Sequence, residues 1–340
     1  MSSLPEDPFR AVQQDAEEYQ STVHALIAFS AYVVHTGSEF RPDAHFGFGR
    51  RMSTSEGNAV LPSDEVTPDL VAQKDSSYGI VAEVKRSASR HESDCSKHLA
   101  QLRKYDDDLA GWWTDTEQIP LRNAAIIIHQ SRSRRLVEEL RSTAASDPEG
   151  VGENSLVIEF NLSNEVDPYI FFRVEWGEVR DPELRPRLHA GVPVPRDKVL
   201  ASFPSIKFYD AEPPLAWLMT LLWTDYFAAN WDTESYDTDL KAYPIIVSVE
   251  SLTAELQKAY GSAALERDER SAEFPQQKWI RRALDAFVSI HYAVPLGETG
   301  EYQVLFRPIA GDVLERFAEL LRPKPVDPAP LNQLDLDFED

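Results

Sequence analysis

Two short segments, PDLVAQK (68–74) and YGIVAEVKRS (78–87), decide how this chain reads. The turn-like Asp75-Ser76-Ser77 between them predicts a β-hairpin. Glu83 and Lys85 stand two apart on the second strand, so they project from one face while Ala82 and Val84 point to the other, core-facing side. Asp69, on the partner strand, brings a second carboxylate beside Glu83. Two hard oxygen ligands with open coordination positions suit Mg²⁺ or Mn²⁺. Such an ion would acidify a bound water and neutralise charge developing on a phosphate, with Lys85 orienting the water. The outline is that of phosphodiester hydrolysis.

An acid-x-Lys pair is common by composition, and the chain holds a second one, Asp239/Lys241. That pair lies in a polar, loop-like stretch (TESYDTDLKAYP) with no strand carboxylate before it. Glu83/Lys85 instead follows a Pro-Asp strand and precedes the amphipathic SKHLAQLRKYDDDLAGWW (96–113).

Working outward, residues 8–35 carry apolar positions at helical spacing, and 36–60 read as a loop or irregular hairpin. After the hairpin come a helix over 96–113, a strand NAAIIIHQ (123–130) suited to burial on both faces, a helix over 131–143, and strands SLVIEFNL (155–162) and YIFFRVEW (169–176). This order predicts an α/β fold, a mixed sheet flanked by helices. The expected organisation is a first domain over 1–180, a linker over 181–205, a mainly helical domain over 206–322 and a flexible acidic tail over 323–340. Within 206–322, helices are expected over 213–231, 249–261 and 276–293, then two strands around Gly297–Gly300 and a closing helix over 311–321.

The chain has 340 residues, 34 Lys+Arg against 57 Asp+Glu, a net charge of −23 and one cysteine, Cys95. A single cysteine excludes an internal disulfide framework and a Cys-rich zinc module. No apolar run reaches the length of a membrane span and no secretory pattern opens the chain, so a soluble, cytoplasmic protein is expected, with no membrane partner. The acidic total argues against coating nucleic acid through bulk charge. The exception is local. Lys85, Arg86, Arg90, Lys97, Arg103 and Lys104 face only Glu92 and Asp94 over 85–104, a +4 island, and Arg132, Arg134 and Arg135 follow the next strand. Together these could line one phosphate-binding groove. The eight histidines show no metal-ligand spacing, although His129, at a strand end, could reach the site.

At these residues the sequence resembles the PD-(D/E)XK, or restriction-endonuclease-like, nuclease superfamily. Pro68-Asp69 followed by Glu83-Val84-Lys85 is similar to its defining motif, and Gln101-Leu102-Arg103-Lys104-Tyr105 to the QxxxY helix motif of its RecB-type members. The resemblance covers about residues 10–175. It implies that Asp69 and Glu83 ligate metal, with the Val84 carbonyl as a third donor, that Lys85 is catalytic, and that Gln101 and Tyr105 support the substrate or the lysine. It further implies a glutamate from the first helix, Glu18 or its neighbour Glu17. The competing reading of Asp69, Glu83 and Lys85 is an exposed ion pair on a strand face, and that of Glu17 and Glu18 a solvated helix face.

The C-terminal part resembles a winged helix-turn-helix domain, which implies phosphate or base contacts from Lys278, Arg281 and Arg282. Residues 201–340 nevertheless hold 12 Lys+Arg and 24 Asp+Glu, so a homodimer or protein partner is as consistent as DNA. The terminal LDLDFED could be a docking peptide or a nucleic-acid mimic. The expected function is a Mg²⁺- or Mn²⁺-dependent deoxyribonuclease in bacterial defence or DNA processing. The alternative is a non-cleaving DNA-binding, regulatory or adaptor protein that acts through the winged helix.

Overall fold

The hairpin forms where the alternation places it. In the computed structural model, which describes residues 8–36, 39–41, 43–54, 65–85, 92–106, 109–113, 119–146, 151–163, 167–203, 206–260, 270, 272–297 and 300–322, Leu70–Gln73 pairs antiparallel with Tyr78–Lys85. The Asp75 carboxylate closes the turn by accepting from the Ser77 and Tyr78 N–H groups at 2.7 and 3.1 Å, an Asx turn.

Seven strands build the main sheet, and they lie side by side in chain order: β1 (His45–Phe48), β2 (Leu70–Gln73), β3 (Tyr78–Lys85), β4 (Leu121–His129), β5 (Ser155–Ser163), β6 (Tyr169–Trp176) and β7 (Val192–Pro195). The β3–β4 and β4–β5 pairs are parallel and the others antiparallel. Parallel neighbours need crossovers, which are supplied by α2 (Glu92–Asp106) and α3 (Gln130–Ser146). Both helices cover one face of the sheet through Val71, Val81, Ile126, Ile128, Leu102 and Leu136. The long α1 (Pro8–Val34) covers the other face over Ala72, Ala82, Val84 and Ile127. The β4 run is buried on both faces, as its unbroken apolar sequence predicts. The chain is therefore α/β, with a mixed sheet flanked by helices.

Three stretches depart from the sequence reading. Within 36–60, His45–Phe48 extends the sheet as edge strand β1; Gly47 and the shortness of the segment hide its alternation. Residues 181–205, expected as a linker, form α4 (Leu184–Ala190), β7 and α5 (Arg196–Ser202), with Leu184, Leu188 and Val194 buried. Helix α2 ends at Asp106, and Leu109–Ala110 pairs instead with Ser53 and Thr54. Gly111, at φ 111°, cannot continue a helix.

The C-terminal half runs α6 (Leu215–Leu221, continued by a π turn to Asn230), β8 (Tyr243–Ser248), α7 (Val249–Tyr260), α8 (Gln277–Ser289), β9 (Ala293–Leu296), β10 (Glu301–Phe306) and α9 (Val313–Leu320). Its three strands form an antiparallel sheet in the order β8-β10-β9. Strand β8 is not expected from the sequence. Trp223 is buried at the centre, with the rings of Phe287, Phe306 and Phe317 5.1–5.6 Å away. This core is continuous with the one under α1, which packs against α6 and α9. No helix among the described residues is long and apolar enough to cross a membrane.

The Gly49 seat is one of the contacts between the C-terminal half and the hairpin. Gly49 has φ 60° and donates its N–H to the Asp69 carbonyl at 3.2 Å, while its own carbonyl accepts from the Ala272 N–H at 3.0 Å. A Cβ there would lie 2.7 Å from the Phe274 ring, which stacks on Trp279 of α8. Gly49→Ala is therefore expected to cost about 1–3 kcal/mol through overpacking and left-handed strain. A urea midpoint unchanged from wild type would refute this close seat.

Candidate functional site

Asp69 lies one residue before the Leu70–Ala82 pair, so the antiparallel register sets it opposite Glu83 on the α2-facing side of the hairpin. Both residues are buried, at 7% and 6% exposure, which already separates them from an ordinary surface ion pair. The Asp69 carboxylate accepts from the Val84 N–H at 2.7 Å.

Helix α2 closes the site from above. Gln101 and Tyr105 are four apart and so share one helical face. Lys85 Nζ donates to Gln101 Oε1 at 3.1 Å and to Glu83 Oε2 at 3.2 Å. Gln101 Nε2 donates to the Tyr105 hydroxyl at 3.3 Å, and that hydroxyl donates to Glu83 Oε1. Four side chains thus form a closed ring whose proton directions are fixed, because an ammonium only donates and a carboxylate only accepts. Burial, and then the Glu83 charge, push the Tyr105 phenol far up, so it remains a neutral donor.

The electrostatics of the two carboxyls are unfavourable as they stand. Burial raises Asp69 well above the usual carboxylate range, and the charge of Glu83 and a hydrogen bond to it raise it further. The Val84 N–H and Lys85 oppose this without cancelling it. A cation bound beside Asp69 would favour its ionised form. Among the described residues no group of three or more His, Cys, Asp or Glu converges to hold a metal. A cation at Asp69 and Glu83 would therefore complete its shell from backbone carbonyl, water and substrate. Mg²⁺ commonly binds this way, through one or two carboxylates, and the donor set fits it.

Asp210 belongs to this neighbourhood, and sequence reasoning missed it. It is pushed up to about 6 by burial first and the Glu83 charge second, with Lys278 opposing. It sits in an irregular connection before α6, where neither period nor motif marks it, and only tertiary packing brings it near Glu83.

The other expected residues divide. Lys97, Arg103 and Lys104 are exposed on α2, and a cleft of about 430 Å³ running past Gln101 and Tyr105 has Lys97 and Lys104 on its wall. Arg86 and Arg90 lie outside the described residues, as does the acidic tail. Glu18 pairs with Arg132 at 2.8 Å in a separate cleft that also holds His129. Arg134 pairs with Glu138 on the exposed side of α3, and Arg135 is exposed beside it. At α8, Lys278 is exposed and acts on Asp210, Arg281 hydrogen-bonds Tyr302, and Arg282 pairs with Glu212.

No protein-family model, curated protein or solved structure matches this chain.

Asp69→Asn tests that geometry without an activity assay. The folded state keeps a proton on Asp69 that the unfolded chain releases near its ordinary value of 3.8. The stability this contributes is full below that pH and is lost as pH rises through the raised folded value. Asparagine keeps an acceptor for the Val84 N–H and carries no charge. The variant is expected to melt above wild type at neutral pH, with the gap closing on acidification, and Mg²⁺ should stabilise wild type alone. A variant less stable than wild type at neutral pH would contradict the charge conflict.

Proposed function

We propose that this chain is a metal-dependent deoxyribonuclease of the PD-(D/E)XK type. The observation that carries the proposal is the closed ring of Glu83, Lys85, Gln101 and Tyr105 with Asp69 buried beside it. A strand-face ion pair needs neither the second buried carboxyl nor a helix that orients the lysine. Further support comes from the sheet, where the hairpin is followed by a parallel crossover through the helix bearing Gln101 and Tyr105.

Asp69 and Glu83 would hold Mg²⁺ or Mn²⁺, which when bound supplies Lewis acidity at the scissile phosphate and favours ionisation of the attacking water. Lys85 binds and orients that water and offsets negative charge growing on the phosphate oxygens. Gln101 fixes the Lys85 ammonium, and Tyr105 fixes the Glu83 carboxylate; both are positioning residues. Lys97 and Lys104 contact the phosphate backbone along the cleft, and Arg103, exposed on the same helix, adds to the attraction.

The C-terminal half supports a winged-helix reading through its order of helix, strand, helix, helix, strand, strand, with the first strand pairing to the last. In this reading α8 presents Lys278 beside the site rather than on a remote arm. The decisive assay is cleavage of linear, circular and single-stranded DNA with Mg²⁺ or Mn²⁺ by wild type and by Asp69→Ala, Glu83→Ala and Lys85→Ala. Equal activity in all four proteins would end the proposal.

A further inference from the structure

A second cavity lies at the opposite end of β2 from Asp69. It measures about 660 Å³, the size of a small-molecule site, and is bounded by the C-terminal end of α1, by α4, by β7 and by α5. Part of its wall is apolar, formed by Ala31, Leu184, Val194 and Val199 among others.

A chain of charges reaches it through Glu183 and Arg41. Lys74 Nζ, buried beyond β2, lies 2.8 Å from both Asp181 Oδ2 and Glu183 Oε2, and Glu183 Oε1 accepts from Arg41 Nη2 at 2.9 Å. This locks the Arg41 guanidinium by one edge. Its Nε–H is buried with no hydrogen-bond partner among the described residues, and the Tyr32 hydroxyl on the same cavity is in the same condition. An unmade buried hydrogen bond is costly, so two on one cavity require a reason. Both groups can donate, and among the described residues neither has an acceptor.

The charge around the cavity has the matching sign. Arg41, Arg187 and Lys198 face one carboxylate, Glu183, which Lys74 and Arg41 already hold far below its usual range. Arg187 and Lys198 are exposed and mark the mouth. His35, on the same wall, is lowered by burial and adds no acid. The cavity therefore offers donors and positive potential at a polar end and apolar walls elsewhere.

We propose that this cavity binds a small organic anion, a carboxylate or phosphate carried on an apolar body. The acid group accepts from Arg41 Nε–H and the Tyr32 hydroxyl, Arg187 and Lys198 draw it in, and the body lies against the apolar walls. Nothing in the nuclease chemistry requires this site, which shares none of its residues with the Asp69 cluster.

The experiment is calorimetric titration of the full chain with octanoate and with adenosine 5′-monophosphate, each against its neutral counterpart, octanol or adenosine. At least one anion is expected to bind saturably and its neutral counterpart not to bind. Octanoate binding alone identifies a carboxylate ligand, and nucleotide binding alone a phosphate monoester. Arg187→Glu with Lys198→Glu, both at the exposed mouth, should weaken the anion at least about tenfold and leave the ligand-free melting temperature unchanged. Tyr32→Phe loses no existing bond, so it should fold as stably as wild type and bind the anion more weakly. Absence of binding by both anions, equal binding of a neutral counterpart, or unchanged affinity in the charge-reversed protein would overturn the proposal.

Discussion

Lys85→Ala is expected to lower Mg²⁺-dependent DNA cleavage by about 10²–10³-fold, the usual loss when one preorganised donor to a developing oxyanion is removed. Asp69→Ala and Glu83→Ala should fall at least as far, because each removes one of two carboxyl donors from the place where the cation would sit. Gln101→Ala and Tyr105→Phe act through Lys85 and Glu83, and a loss of about 10–100-fold is expected, falling on turnover rather than on DNA affinity. The ring of hydrogen bonds makes a further demand. Since Gln101 acts by fixing the Lys85 ammonium, Gln101→Ala combined with Lys85→Ala should cost no more than Lys85→Ala alone. Additive losses would mean that Gln101 acts on the substrate directly. Arg103 and Lys104, exposed on α2, belong to a different class: their alanine variants should weaken DNA binding and reduce its salt dependence, with cleavage of bound DNA retained.

How far the sequence carries this site depends on how local each relation is. Glu83 and Lys85 are two residues apart, and Gln101 and Tyr105 four, so strand and helix periods alone place each pair on one face. Asp69 is legible because an Asp-Ser-Ser turn fixes the hairpin register. Glu18 is not: the helical pattern puts it on a polar face without saying which neighbour it meets, and it meets Arg132. Asp210 reaches the site through tertiary packing, with 127 positions separating it from Glu83, and no local pattern marks a carboxylate of that kind. Among strands, the eight-residue β3 and nine-residue β4 alternate or run apolar long enough to read, whereas four-residue β1 and β7, carrying Gly47 and Pro193, do not. The Gly49 seat is equally hidden, since a left-handed glycine shows its purpose only once Phe274 packs against it.

Lys74→Met is expected to cost about 3–5 kcal/mol of folding stability, because it strands a buried charge. The Lys74 and Asp181 side chains are only 6% and 3% exposed. Asp181 also starts α4, since its other oxygen accepts the Glu183 and Leu184 N–H groups at 2.9 and 2.8 Å. Burial alone would lower Lys74, but its hydrogen bonds and ion pairs with Asp181 and Glu183 outweigh it and leave the amine raised. Without the ammonium, the buried Asp181 carboxylate loses its ion pair and retains the α4 N–H groups. Adding Asp181→Asn should therefore recover much of the loss, since the amide oxygen can still cap α4 and no charge remains. The acid limb supplies a second check. Hydrogen bonds from Lys74 and then Arg41 hold Glu183 down at about 2, so the stability this brings is present above its ordinary value of 4.5 and disappears as pH falls toward 2. In Lys74→Met that part of the acid-unfolding profile should flatten, while DNA cleavage by the folded fraction stays intact, because the charges lie at the far end of β2 from Asp69. A loss below about 1 kcal/mol in urea, with an unchanged slope, would assign Lys74 the value of an exposed pair and refute its role as the tie between hairpin and α4.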